Sequence, residues 1–160
     1  MAAPVSAEFV NALVQSVLDL LRHAGEGEAR VGKPVLVSNV PGAPCVSVSV
    51  EVRGQVNGPI YWTFDAAVAE ALVRALFPVL PDGIARADAV GELGNIILGN
   101  ATGALQDAGY PVEVLTPQVV EESAPERGRL PRRTIQVPVR TRTGEVRVLI
   151  GVEPLRLVAA

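Results

Sequence analysis

One cysteine, one histidine, one tryptophan and one methionine occur in 160 residues, and aromatic residues make up only 4%. A lone Cys45 excludes an intrachain disulfide, and a metal site built from His and Cys clusters is excluded by the same counts. A Cys–His catalytic pair would need Cys45 and His23 in contact, and no local motif supports one. Cys45 lies in a strand-like run and reads as a buried, inert thiol. No apolar run approaches the ~18 residues of a membrane-spanning helix. The N-terminus also lacks the basic region and continuous apolar core of a signal peptide, so a cytoplasmic protein is expected. Neither sign of charge dominates, with 14 basic residues against 17 acidic ones. A net charge of −3 gives no general reason to expect nucleic acid or an anionic membrane as partner.

What is present is a Val-, Ala- and Leu-rich chain, 49% apolar and 19% charged, too apolar for a disordered polymer. Its length fits one domain over residues 1–160, with residues 1–5 loose. Residues 6–23 space Phe9, Val10, Leu13, Val14, Val17 and Leu21 as one helix face, with Ser6 as N-cap and AGEG as the stop. PVLVSNV (34–40) reads as a strand. CVSVSVEVRG alternates, with Val46, Val48, Val50 and Val52 on one side and serines and Glu51 on the other. A turn holding Gly54 and Asn57-Gly58 leads into PIYWTF, forming a hairpin. Asp65 is placed as the cap of a second helix that stops before Pro78, and VLPDGIA is a loop. A third helix opens at Asp88, runs to about Ala108 and ends at Gly109. PVEVLTPQVV is a strand interrupted or ended by Pro117, and EESAPERGRLP is a loop. TIQVPVRTR and EVRVLIGVE, joined at Thr143-Gly144, form a second hairpin, with Pro138 marking an edge or a bulge. Helices between blocks of hairpins give an α+β fold, helices packed on an antiparallel or mixed sheet.

The third helix carries Gly91, Gly94, Gly99 and Gly103, each costing roughly 1 kcal/mol relative to alanine. At about 100° per residue, Val90, Leu93, Ile97, Ala101, Ala104, Leu105 and Ala108 gather on a core face. Glu92, Asn95, Gly99, Gly103 and Gln106 gather opposite, with Ile96 close by and Asp88 one turn before Glu92. Gly94 falls on the core side, where close packing accounts for it. Gly99 and Gly103 share the polar face and leave it without side chains that would hold another surface away. A carboxylate and an amide on a wet helix face are also ordinary. Asp88 belongs to that face or serves the positive helix N-terminus. Asn100 reads as a solvated or helix-interface residue rather than as a second catalytic amide.

Asp88, Glu92, Asn95 and, after 21 intervening residues, Pro117 resemble the signature of the CheC/CheX/FliY phosphatases of bacterial chemotaxis. GELGNIILGNATGAL followed by GYPVEVLTPQVV is similar to the CheX form, and most of the remaining elements fall where that family has equivalents. PQVV departs from the family pattern, which has a small residue after the proline. The resemblance implies a CheC/CheX-like fold and dephosphorylation of a CheY-like response regulator. It implies that Asn95 orients the attacking water, and that Glu92 pairs with a receiver-domain lysine. Asp88, Ile96, Gly99 and Gly103 would line the partner contact. It further implies no cofactor of the chain's own, Mg²⁺ on the phosphorylated partner, and a homodimer. One motif helix is visible where CheC has two, and there is no room for the rotor-switch domain of FliY. A non-catalytic module of the same fold that binds a receiver or other partner is the alternative reading, and a structural dimer or rotor-associated adaptor a third. Presence of both Glu92 and Asn95 favours the enzyme.

From residue 127 onward, Arg127, Arg129, Arg132, Arg133, Arg140, Arg142, Arg147 and Arg156 outnumber Glu145 and Glu153. Without interleaved aromatics, and alternating with valine, they read as a wet sheet face rather than a nucleic-acid site. Steering of an acidic receiver domain is a second reading of the same charge.

Overall fold

The computed structural model describes residues 6–26, 28–39, 45–54, 56–77, 86–110, 112–114, 118–121, 129–151 and 153–154. Helix α1, Ala7–His23, starts where Ser6 Oγ accepts the Phe9 N–H at 3.2 Å. It ends as Gly25, at φ +81°, donates to Arg22 O and Glu26 N to Leu21 O. Those two bonds satisfy carbonyls that the end of a helix would otherwise leave open. Strands β1 (Arg30–Val31) and β2 (Val35–Asn39) precede a long hairpin of β3 (Cys45–Gly54) and β4 (Val56–Asp65). Helices α2 (Ala66–Leu76) and α3 (Arg86–Asp107) follow, then β5 (Val112–Val114), β6 (Gln118–Glu121), β7 (Arg129–Arg140), β8 (Glu145–Ile150) and β9 (Glu153–Pro154).

The sheet runs β1–β7–β8–β4–β3–β5, with β2 alongside β1 on β7, β6 alongside β5 on β3, and β9 on β4. Every described pairing is antiparallel. One face carries Val46, Val48, Val50 and Val52 from β3 and Ile60, Trp62 and Phe64 from β4, all buried. Val137 and Val139 from β7 and Val146, Val148 and Ile150 from β8 complete it. The helices cover this face with Phe9, Leu13, Val17, Leu20 and Leu21 of α1, Val68 and Leu72 of α2, and Leu93, Ile97 and Leu105 of α3. Period-2 strands and period-3.6 helices thus bury their apolar sides in one shared layer, which is the expected α+β arrangement. Among the described residues no helix is long and apolar enough to cross a membrane.

Several sequence expectations move. The β3–β4 connection is tighter than expected: Asn57 and Gly58 lie inside β4, Gly58 opposite Val52, and only residue 55 separates the strands. Asn57 Oδ1 and Nδ2 clasp the backbone N–H and carbonyl of Gly54 at 3.4 and 3.3 Å, so this asparagine braces the turn from outside it. Asp65 occupies the N-cap position of α2 but makes no side-chain cap bond. Its carboxylate accepts from Arg147 Nη1 at 3.0 Å and from Glu145 N at 2.9 Å, because a guanidinium on the paired strand offers a stronger, charge-assisted bond. Helix α3 begins at Arg86 rather than Asp88, the good helix formers Arg86 and Ala87 extending its first turn. Strand β6 takes in Glu121 and strand β7 begins at Arg129, so the expected loop loses four residues and Pro131 falls inside the strand. There β2 and β7 slip register, with Val37 opposite Thr134 but Asn39 opposite Arg129.

Pro138 sits where β1 gives way to β2. Its carbonyl accepts Gly32 N at 2.8 Å, so its missing N–H points at the break in the neighbouring strand, where no donor is needed. The second sheet face is only partly wet. Ser47 is buried and shares a 3.2 Å hydrogen bond with buried Thr63, rather than facing water as the alternation suggests. Burial and, after it, the Glu51 carboxylate push the Tyr61 phenol above its ordinary value. Arg147 is likewise drawn into pairs with Asp65 at 3.0 Å and Glu145 at 3.4 Å, while Arg140 reaches Glu145 at 3.9 Å. The expected wet face is therefore partly an ion-pair network. Residues 1–5, the loop 79–85, Pro117, Arg127 and Arg156 lie outside the described residues, as does the side chain of Cys45.

Candidate functional site

Helix α3 lies over the β3, β5 and β6 end of the sheet and packs against α1 and α2. Its C-terminus is fastened twice. Gly109, at φ +88°, donates to Gln106 O, and Tyr110 N donates to Leu105 O at 2.8 Å. The Tyr110 ring meets Phe9 edge-on, centroids 5.3 Å apart, and its hydroxyl is hydrogen-bonded to Ser6 Oγ. The start of α1 and the end of α3 are thereby tied together, and the bar of α3 is fixed at its C-terminal end.

Ala89, Leu93, Ile97, Ala101 and Leu105 are buried beneath this bar, with Ala104 and Ala108 partly so. Glu92, Asn95, Ile96, Gly99, Asn100, Gly103 and Gln106 are exposed along its top, Ile96 at 37%. Neither Glu92 nor Asn95 has a hydrogen-bond or ion-pair partner among the described residues. Their donors and acceptors are held ready for something outside the chain or for water. Asp88 lies in the first turn of α3, with its side chain outside the described residues.

The four glycines divide as the helical spacing implies. A Cβ on Gly94 would stand 3.0 Å from Val48 Cγ1 and 3.3 Å from Cγ2, so this glycine lets α3 settle onto β3. A Cβ on Gly91, Gly99 or Gly103 would meet nothing within 4 Å. Gly91 was not singled out by its polar-face position, yet it stands four residues before Asn95 as Gly99 stands four after. Residues four apart are neighbours on a helix surface, so the amide rises from a row that is bare on both sides. That i±4 spacing is the signal that identifies Gly91.

The family model described as chemotaxis phosphatase CheX matches residues 46–137, more than half of the chain and all of α3. The chain belongs to the CheX family. A relative named CheY-P phosphatase CheX, from Thermotoga maritima, is 29% identical over 120 residues, covering 72% of this chain and 77% of that protein. The crystal structure of a chemotaxis protein CheX from Desulfovibrio desulfuricans is 30% identical with a TM-score of 0.71, covering 89% of this chain and 97% of that one. CheX from Vibrio vulnificus superposes with a TM-score of 0.75 at 26% identity, over 92% of this chain and 100% of that one. The three helices on an antiparallel sheet are thus the CheX architecture, and the resemblance read from the glycine helix extends through the whole described fold.

Proposed function

We propose that this CheX-family chain hydrolyses the aspartyl phosphate of a CheY-like receiver domain, with Asn95 orienting the attacking water and Glu92 docking a lysine of the regulator. The observation that carries this reading is the pair of exposed side chains, without partners among the described residues, on a helix face whose surroundings are stripped to glycine. Family membership and the CheY-P phosphatase name of the Thermotoga maritima relative supply the substrate.

The chemistry asks little covalent help of the protein. Water oxygen attacks phosphorus in line, the bond from phosphorus to the aspartyl oxygen breaks, and inorganic phosphate leaves a free carboxylate. Positioning and charge stabilisation supply most of the acceleration in such transfers. Mg²⁺ and the lysine belong to the receiver and would neutralise the developing charge, so the chain needs no cofactor of its own. Its contribution is aim. A neutral amide accepts one hydrogen bond and donates another, so Asn95 can hold water without bringing negative charge to the phosphoryl oxygens. Its side chain is short, and the bare row from Gly91 to Gly103 lets the two backbones approach within its reach. Asp88, Ile96, Gly99 and Gly103 are proposed to line the contact. Two-component signalling, a cytoplasmic location and a homodimeric assembly complete the reading.

The deciding experiment is phosphate release from a receiver domain charged with acetyl phosphate, wild type beside Asn95→Ala, Asn95→Asp and Glu92→Ala. Asn95→Ala and Asn95→Asp are expected to slow hydrolysis at saturating enzyme by about 100-fold or more, whereas Glu92→Ala mainly raises the concentration needed. Equal rates for all four proteins would remove the enzymatic reading, and saturable binding without acceleration would leave a receiver-binding module.

A further inference from the structure

We infer that Gly94 is a positioning residue: its contact with Val48 sets the height and rotation at which α3 presents Asn95 and Glu92 to the phosphorylated partner. The inference rests on the function proposed above and adds to it a component buried beneath the site. Of the four glycines in α3, three face open space, and the one that touches the sheet immediately precedes Asn95. Val48 cannot readily give way. It is fully buried, lies on a strand paired on both sides, opposite Trp62 and Val119, and is β-branched, so its χ1 is stiff. Leu93 and Ile97, also fully buried, fix the helix on either side of the contact. Carbon atoms rest at about 3.5–4.0 Å. A methyl group at position 94, 3.0 Å from Val48 Cγ1, would therefore have to lift or roll the helix by a few tenths of an ångström. A residue that aims water tolerates little of this, since about 1 Å of misplacement can cost about 100-fold in rate.

The test compares wild type, Gly94→Ala, Val48→Ala and the double variant Gly94→Ala/Val48→Ala. Phosphate release is followed with a receiver charged by acetyl phosphate, and affinity is measured with the same receiver loaded with beryllium fluoride and Mg²⁺. Gly94→Ala is expected to lower the maximal rate by about 5- to 10-fold while affinity changes by less than about twofold, because the exposed face keeps its chemistry. Removing the Val48 methyls opens the space again, and the double variant is expected to recover most of the wild-type rate. Where Gly94→Ala fails to fold, Val48→Ile with Gly94 intact presses the same contact from the sheet side and is expected to slow the maximal rate in the same way. Gly94→Ala at the wild-type rate overturns the inference, as does a double variant no faster than Gly94→Ala, a folded Val48→Ile at full rate, or a loss confined to affinity. If wild type itself fails to accelerate phosphate release, the function proposed above falls and takes this inference with it. An active wild type with an unimpaired Gly94→Ala removes the inference alone.

Discussion

At residue scale, three glycines weaken the helix that carries the site and do nothing for the chain's own packing. Gly91, Gly99 and Gly103 have empty space where a Cβ would stand, and each costs about 0.8–1 kcal/mol against alanine. Their sum, about 2–3 kcal/mol, is a sizeable part of the ~5–15 kcal/mol that separates folded from unfolded chains. Gly99→Ala and Gly103→Ala should therefore stabilise the isolated protein, each raising the melting temperature by about 2–4 °C for a chain of this size. The same variants should weaken binding to the beryllium-fluoride-loaded receiver several-fold. Melting curves and a binding isotherm on one preparation check both signs. Stabilised variants that bind as well as wild type would show that the bare ridge is not a contact surface. The partition of these glycines was legible in the sequence, because 100° per residue places Gly94 opposite Gly99 and Gly103 whatever lies beneath. The Val48 contact was not, since it depends on which strand the helix crosses and how closely.

At element scale, the junction of β4, α2 and β8 turns on Asp65. The sequence shows an aspartate before an apolar helix, which is the pattern of an N-cap, and that reading places the helix correctly. It assigns the carboxylate to the wrong partner, because Arg147 is 82 residues away and only the pairing of β4 with β8 brings it near. Gly144 belongs to the same junction: a Cβ there would stand 2.9 Å from Val68 Cγ2 and 3.0 Å from Asp65 Oδ2, so the β7–β8 turn presses on the start of α2. Asp65→Ala loses two charge-assisted bonds and should cost about 1.5–3 kcal/mol, read as a lower urea midpoint at unchanged m-value. Asp65→Asn keeps an acceptor for Glu145 N and should lose less. If Asp65→Ala is no less stable than wild type, the junction is held by apolar contact alone. Both hairpins and all three helices were legible from periodicity and turn residues. Asn57-Gly58 and Pro131 misled because such residues mark turns only on average, and here one braces a turn from within a strand while the other sits in a register slip.

At the scale of the whole molecule, strand order separates two surfaces that the sequence could not place relative to each other. Among the described residues the large exposed hydrophobics are Val31, Val35, Leu36 and Ile96. Ile96 stands beside Asn95 on α3, over the β3–β5–β6 end of the sheet. The other three lie on β1 and β2, whose described pairings are with β7 alone, at the opposite end of the strand order. An edge bearing apolar side chains and open backbone groups is a surface that another copy of the chain can extend. Two copies joined there would leave both α3 ridges facing outward, so assembly and hydrolysis should be separable. Leu36, 72% exposed, is the sharpest probe. Leu36→Lys should convert the proposed homodimer to a monomer in sedimentation equilibrium, while phosphate release per chain stays within about twofold, as expected for sites more than ~10 Å apart that share no partner. A Leu36→Lys protein that remains dimeric would place the interface elsewhere on the molecule. A monomeric variant that loses hydrolysis would show that the second copy completes the site, which independent edges of one sheet give no reason to expect.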